Sequence, residues 1–165
     1  MKKTLCRILL LTIAVLLLLT TAAYSRQGKT KVFTVEELSI TLTDAFDEKN
    51  LLTQTAYYES EDMLVTVLRE SDATLRSESL DPEMSAAQYA ETVIEMNQIN
   101  AAVQTDGDLT YFAFRQEISG ESCYYVAFIY KTESAFWMIQ FVCEAGDAEE
   151  LQPLIFSYAK NVTFA

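Results

Sequence analysis

A chain of 165 residues, half of them apolar and 12% aromatic, suffices for one domain with a real hydrophobic core, and its four Gly and two Pro exclude a low-complexity or disordered polymer. The net charge is −12, and from Val32 onward six basic residues meet 24 acidic ones, a balance of −18 that repels phosphate backbones, so no nucleic-acid partner is expected. Without histidine the chain lacks the commonest general base and transition-metal ligand, and its three cysteines cannot alone close a four-ligand zinc site.

The chain opens on "MKKTLCR", a basic stretch, then "ILLLTIAVLLLL" (Ile8 to Leu19), an apolar run of 12 residues, then "TTAAYS". That order is the one a secretory signal needs, with Ala23 and Ser25 as the small residues before a cut at Arg26. A full membrane span needs about 20 apolar residues, and the stretch from Ile8 to Tyr24 is 17 residues long. Residues 1–25 therefore read as a signal peptide or an N-terminal membrane anchor. Cys6 precedes the apolar run, whereas a lipoprotein cysteine follows it, so lipidation is not expected. Residues 26–34 read as a linker and 35–165 as one globular domain.

In the domain, Leu38, Ile40 and Leu42 alternate with Ser39, Thr41 and Thr43, the period of a strand with one buried face. "DAFDEKN" reads as a turn. Strands follow at Leu51 to Ser60 and Glu61 to Glu70, with a hairpin turn at "ESED". "ESDATLRSESLDPEMS" is polar and irregular. A helix follows, capped either by Asp81 with Pro82 in its first turn or by Ser85 with Gln88 completing a capping box. Its apolar stripe is Ala86, Tyr89, Ala90, Val93, Met96 and Asn97, and core packing is the expected use of that stripe.

Asp106-Gly107 predicts a hairpin, because both residues tolerate the positive φ of tight hairpin turns. Asp106 and Asp108 as calcium ligands would lack the other positions of a calcium loop. Ser119-Gly120 turns the chain again, and two long strands follow, Cys123 to Lys131 and Ala135 to Cys143. The last helix lies in "GDAEELQPLIFSYAKNV", and Pro153 predicts that its regular part begins nearer Gln152 or kinks there. "NVTFA" closes as a short edge strand.

The long hairpin around Glu133 is apolar on both faces. With a three-residue loop, Thr132 to Ser134, Cys123 faces Cys143, Tyr125 faces Phe141, Ala127 faces Ile139 and Ile129 faces Trp137. A strand with one wet face would alternate with polar residues, so this hairpin belongs in the middle of the sheet, covered on both sides. The fold class is α+β: a mostly antiparallel sheet of six to seven strands covered by helices on both faces, a three-layer sandwich. In that register Cys123 and Cys143 are a candidate disulfide. Opposed Cβ atoms lie about 4.5–5.5 Å apart, against roughly 3.5–4.5 Å in a disulfide, and the bond would add roughly 3 kcal/mol. The alternative is two buried thiols packed as small hydrophobes.

Taken in order, "SITLTDAF", "AAQYAETVIEM", "YFAF", "CYYVAFIYKTESAFWMIQFVC" and "FSYAKNVTF" resemble the Mog1/PsbP-like domains, over roughly Val32 to Ala165. These are small α/β/α sandwiches of exported bacterial proteins and of a photosystem II accessory protein. The resemblance implies a non-catalytic binding or assembly role and carries over no site residues.

The function expected is therefore an exported, non-catalytic binding or accessory module at the cell envelope. Its partner would be an unknown protein or small ligand, and residues 1–25 would touch the membrane if uncleaved. No catalytic residue, metal or cofactor is expected. A membrane-tethered sensor or subunit domain is the alternative. An enzyme would have to use acids such as Glu59, Glu61 and Asp62. For Tyr57, Tyr58, Tyr111 and Tyr130 core packing with a wet hydroxyl is the commoner fate, and lining a groove at one end of the sheet is the alternative.

Overall fold

The computed structural model describes residues 28–49 and 54–165; the leader, and with it the choice between signal peptide and anchor, lies outside the described residues. Ten strands and three helices are found among them. They run β1 (Thr30–Val35), β2 (Leu38–Thr43), β3 (Asp47–Lys49), β4 (Ala56–Glu59), β5 (Leu64–Ser71), α1 (Asp72–Ser77), α2 (Ala86–Met96), β6 (Gln104–Asp106), β7 (Leu109–Ile118), β8 (Glu121–Lys131), β9 (Ala135–Glu144), α3 (Ala148–Lys160) and β10 (Thr163–Phe164). One sheet has seven strands in the order β3-β4-β5-β9-β8-β7-β6, and a second has three, β1-β2-β10. Every pairing is antiparallel.

The long hairpin of β8 and β9 lies in the middle of the larger sheet, as its two apolar faces require. Along β8, successive side chains enter different cores. Val126 and Phe128 join Trp137, Ile139 and Phe141 of β9; Ala127 and Ile129 join Phe136 and Phe112. The first core is closed by Phe33, Leu38, Ile40 and Leu42 of the small sheet and by Ile155, Tyr158 and Ala159 of α3. The second is closed by Leu75 of α1 and Tyr89 and Ala90 of α2.

The register of that hairpin differs from the expected one by a single residue. Lys131 pairs with Phe136, so four residues, Thr132 to Ala135, lie between the last paired positions of the hairpin, Ala135 already being the first residue of β9. The Thr132 N–H donates to the Ala135 carbonyl at 2.9 Å, and the Thr132 hydroxyl donates to Glu37 Oε1 at 3.2 Å. The Trp137 indole N–H reaches the same Glu37 oxygen at 3.2 Å, which fixes the connection against the β1–β2 turn. Cys123 consequently faces Glu144, and Cys143 faces Tyr124. Because side chains alternate along a strand, the two thiols point to opposite faces of the sheet. The candidate disulfide is thereby corrected: both cysteines are free. Ala127 likewise faces Gln140 rather than Ile139. Burial pushes the Cys143 thiol up to about 11, with Asp147, Cys123 and Glu144 adding to the rise. Alkylation of the unreduced, unfolded protein is expected to label both cysteines, with Cys143 resisting the reagent while the protein stays folded; a mass showing a Cys123–Cys143 crosslink would reverse this assignment.

Three segments expected to be irregular are ordered. Residues 26–34 do not form a linker throughout, because Thr30–Val35 pairs along its whole length with β2, turning at Glu36-Glu37. Asp47–Lys49 adds an edge strand to β4. Ser71 caps α1 by accepting from the Thr74 N–H at 3.2 Å, and Leu75 plugs that short helix into the second core. For α2 the Ser85–Gln88 capping box forms, while Asp81 instead accepts from the Glu83 N–H at 2.9 Å in a separate turn. Tyr89 and Ala90 of its stripe are buried, whereas Met96 at the last turn is 63% exposed. Helix α3 begins at Ala148 and runs through Pro153, whose ring faces solvent, as does Glu149, whose carbonyl would otherwise accept a bond from position 153.

Candidate functional site

A cleft of about 300 Å³ opens where the end of β2, the β4–β5 turn and the start of α3 meet. Thr43, Ala45 and Phe46 come from β2 and the turn after it; Ser60, Glu61, Asp62 and Met63 from the β4–β5 turn; Asp147 from the position just before α3; and Glu150, Leu151, Leu154 and Tyr158 from α3. Each contribution has a local cause. Ser60 closes its turn three times, through its N–H to the Met63 carbonyl at 2.9 Å, its hydroxyl to the same carbonyl at 3.1 Å, and the Met63 N–H to its hydroxyl at 3.1 Å. That lifts Glu61 and Asp62 outward and presses Met63 inward, where it is buried. Phe46 packs its ring edge-on against Tyr158 at 6.0 Å, which holds the floor of the cleft to α3.

Asp147 precedes the first turn of α3 without spending its carboxylate on a capping bond. A helix N-terminus carries roughly half a positive charge. Four carboxylates, Glu61, Asp62, Asp147 and Glu150, line the cleft, so negative charge dominates the helix dipole. The result is an acidic rim over an apolar floor, an arrangement complementary in chemistry to a positive group attached to an apolar body.

Of the acids singled out in sequence, Glu61 and Asp62 line this cleft and Glu59 does not. Asp147 and Glu150 join them from 85 or more positions away in the chain, a convergence no local pattern encodes. The four tyrosines do not share a groove. Tyr57 and Tyr58 are adjacent in β4 and so project from opposite faces. Tyr58 is fully buried against Phe33, with ring centroids 4.6 Å apart, and burial, followed by Glu48, pushes its phenol up to about 12. Tyr111 donates to Gln104 Oε1 at 3.1 Å, and Tyr130 donates to the Ala159 carbonyl at 2.8 Å. Asp106 pairs with Lys160 at 2.8 Å, tying the β6–β7 hairpin to the end of α3. Among the described residues no group of three or more Cys, Asp or Glu side chains is placed to hold a metal ion, and no helix is long and apolar enough to cross a membrane.

No protein-family model matches the sequence, and no curated protein matches it. Solved structures do. The cyanobacterial PsbP (CyanoP) of Synechocystis sp. PCC 6803 superposes with a TM-score of 0.52 at 9% identity, over 84% of this chain and 94% of that one. A protein of Bacteroides thetaiotaomicron VPI-5482 superposes with a TM-score of 0.53 at 13% identity, over 84% of this chain but only 49% of its own length. LpqN of Mycobacterium tuberculosis, involved in cell envelope biogenesis, gives a TM-score of 0.44 at 9% identity, over 87% and 96% of the two chains. The fold is Mog1/PsbP-like.

Proposed function

We propose that this chain is an exported, non-catalytic binding or accessory module of the cell envelope, and that it holds its partner in the acidic cleft. A fold does not fix a function, so the cleft carries the reading. Its apolar floor of Phe46, Met63, Leu151 and Leu154 gives area to bury, and its carboxylates select a partner that offers a basic group beside an apolar one. The signal-like leader supports the location, and the lack of histidine in the whole chain supports binding over catalysis. The three-layer arrangement, helices over both faces of the larger sheet, belongs to this reading; α2 and α3 contribute to different cores in keeping with it.

The test compares the purified protein with its Glu61→Lys/Asp62→Lys variant, both immobilised and exposed to an envelope extract. Both side chains are exposed, so the variant keeps the fold. A saturable partner is expected, bound about tenfold more weakly by the variant and more weakly as salt rises. No saturable partner, or equal retention by the two proteins, would sink the reading.

A further inference from the structure

The outer edge of β7 offers a different surface. Strand β6, the last of the larger sheet, pairs only with Leu109, Thr110 and Tyr111, while β7 continues to Ile118. Which backbone groups face outward follows from its two turns. Ser119 and Gly120, with φ of 55° and 91°, make the two-residue turn between Ile118 and Glu121, and the pair flanking such a turn is hydrogen-bonded across the hairpin. Alternation then gives β8 the N–H and C=O groups of Gln116 and Phe114, and turns those of Glu117, Arg115 and Ala113 away from it. The Gly107-Asp108 turn gives the same parity from the other end, since it directs Leu109 and Tyr111 to β6. Among the described residues no loop hydrogen bond reaches the outward groups of Arg115 and Glu117.

The side chains on this open edge read Phe114-Arg115-Gln116-Glu117-Ile118, a self-complementary string. Set antiparallel to a second copy about Gln116, Arg115 faces Glu117 of that copy and Phe114 faces its Ile118, each pair occurring twice. Arg115 and Glu117 are also the residues whose backbone groups face outward, so each such pair is a hydrogen-bonded one. Centring the pairing on Arg115 instead would oppose two guanidinium groups, and centring it on Phe114 would run into β6 at Tyr111. Arg115 lies over the Tyr124 ring at 5.9 Å, and neither Arg115 nor Glu117 has an ionic partner among the described residues. Ile118, 46% exposed, is one of three large apolar side chains among the described residues left open to water.

We propose that two copies of this chain associate through β7, joining their larger sheets into one continuous sheet by two-fold antiparallel pairing centred on Gln116. The interface is isologous, and its opposite charges supply the register. It uses an exposed edge of the kind that monomeric proteins blunt with charge, and here the blunting charges complement themselves.

Sedimentation equilibrium on the purified protein, in a micromolar-to-millimolar series at about 0.15 M salt, tests this under conditions where whole-body repulsion is screened beyond about 8 Å. Reversible dimerisation is expected. Arg115→Glu alone and Glu117→Arg alone should each weaken it about tenfold, because like charges then oppose twice, and the double swap should restore it. Amide exchange at Arg115 and Glu117 should slow as the dimer fills, while exchange at Gln116, whose N–H bonds within the chain, stays unchanged. A monomer throughout the series, a single charge reversal that associates as tightly as the parent, or a double swap that fails to restore association would each overturn the proposal.

Discussion

Phe128→Ala is expected to cost about 3–5 kcal/mol of folding stability, among the largest effects any single truncation will have here. Phe128 is fully buried in the central strand pair. Its ring meets Phe156 at 5.2 Å and Phe141 at 5.8 Å edge-on, and Tyr111 at 5.6 Å, so three elements lose a partner at once. Neighbours on a sheet collapse poorly into a gap because the backbone ladder fixes their spacing, which keeps the cavity contribution high. Urea unfolding should show a lowered midpoint with an unchanged slope. The same experiment reads the register. Phe128 faces Ile139 in one core, so truncating both should leave a coupling of about 0.5 kcal/mol or more, whereas Ile129 and Ile139, on opposite faces, should add independently to within about 0.5 kcal/mol. Coupling between Ile129 and Ile139 with none between Phe128 and Ile139 would mean the hairpin pairs as its sequence first suggests.

That register shows where sequence stops informing structure. Apolar residues on both faces of "CYYVAFIY" and "AFWMIQFVC" require a central hairpin, and they say so without ambiguity. The same property hides the register, because a slip of one residue exchanges two apolar faces and costs the pattern nothing. The choice falls to the Thr132–Ala135 connection and to Glu37, which lies about 95 positions away and accepts from both Thr132 and Trp137. Where Gly or a cap supplies the signal, the reading is local: Gly120 and the Ser85–Gln88 box stand where expected, while Gly107 turns its hairpin with Asp108, one residue later than the expected Asp106-Gly107 pair, because Asp106 still pairs with Leu109. β1 and α1 are silent for the opposite reason. Each is anchored by few buried side chains, Phe33 in one and Leu75 in the other, and one apolar residue has no period.

The cleft was half legible. Glu61 and Asp62 stand out as an acidic turn, but a solvated turn and a binding rim have the same local sequence. What separates them is the opposite wall, which Asp147, Leu151 and Leu154 build only once α3 packs across the small sheet. The tyrosines fail as a groove for a related reason. Tyr58 is buried whole, Tyr111 and Tyr130 spend their hydroxyls on Gln104 and the Ala159 carbonyl, and Tyr89, outside that set, likewise donates to the Glu70 carboxylate.

The buried tyrosines give the fold an alkaline limit. Burial raises the phenols of Tyr58, Tyr89 and Tyr130 above the ordinary value of 10.0, Tyr58 to about 12, and the hydrogen bond to Glu70 adds to the rise for Tyr89. Below pH 10 each is neutral whether the chain is folded or not, and its contribution to stability is complete. Above that, the unfolded chain releases these protons while the folded chain keeps them, so stability falls as pH climbs through the folded values. Each such group contributes a slope of about 1.4 kcal/mol per pH unit, and three together about 4. Cys143, raised from 9.0 to about 11, adds its own slope over the window from pH 9 to 11. Against a domain stability of about 5–15 kcal/mol, cooperative unfolding is expected near pH 11–12. Phenolate absorbance and far-ultraviolet circular dichroism, followed together, should show the buried tyrosines ionising in the same step that melts the sheet. Tyr58→Phe should move that step upward and also stabilise the protein at neutral pH by about 1 kcal/mol, because it deletes a buried hydroxyl with no partner among the described residues. A smooth titration of all the tyrosines near pH 10 with the dichroism unchanged would show that these rings are open to water, and the layers around them would then have to be drawn differently.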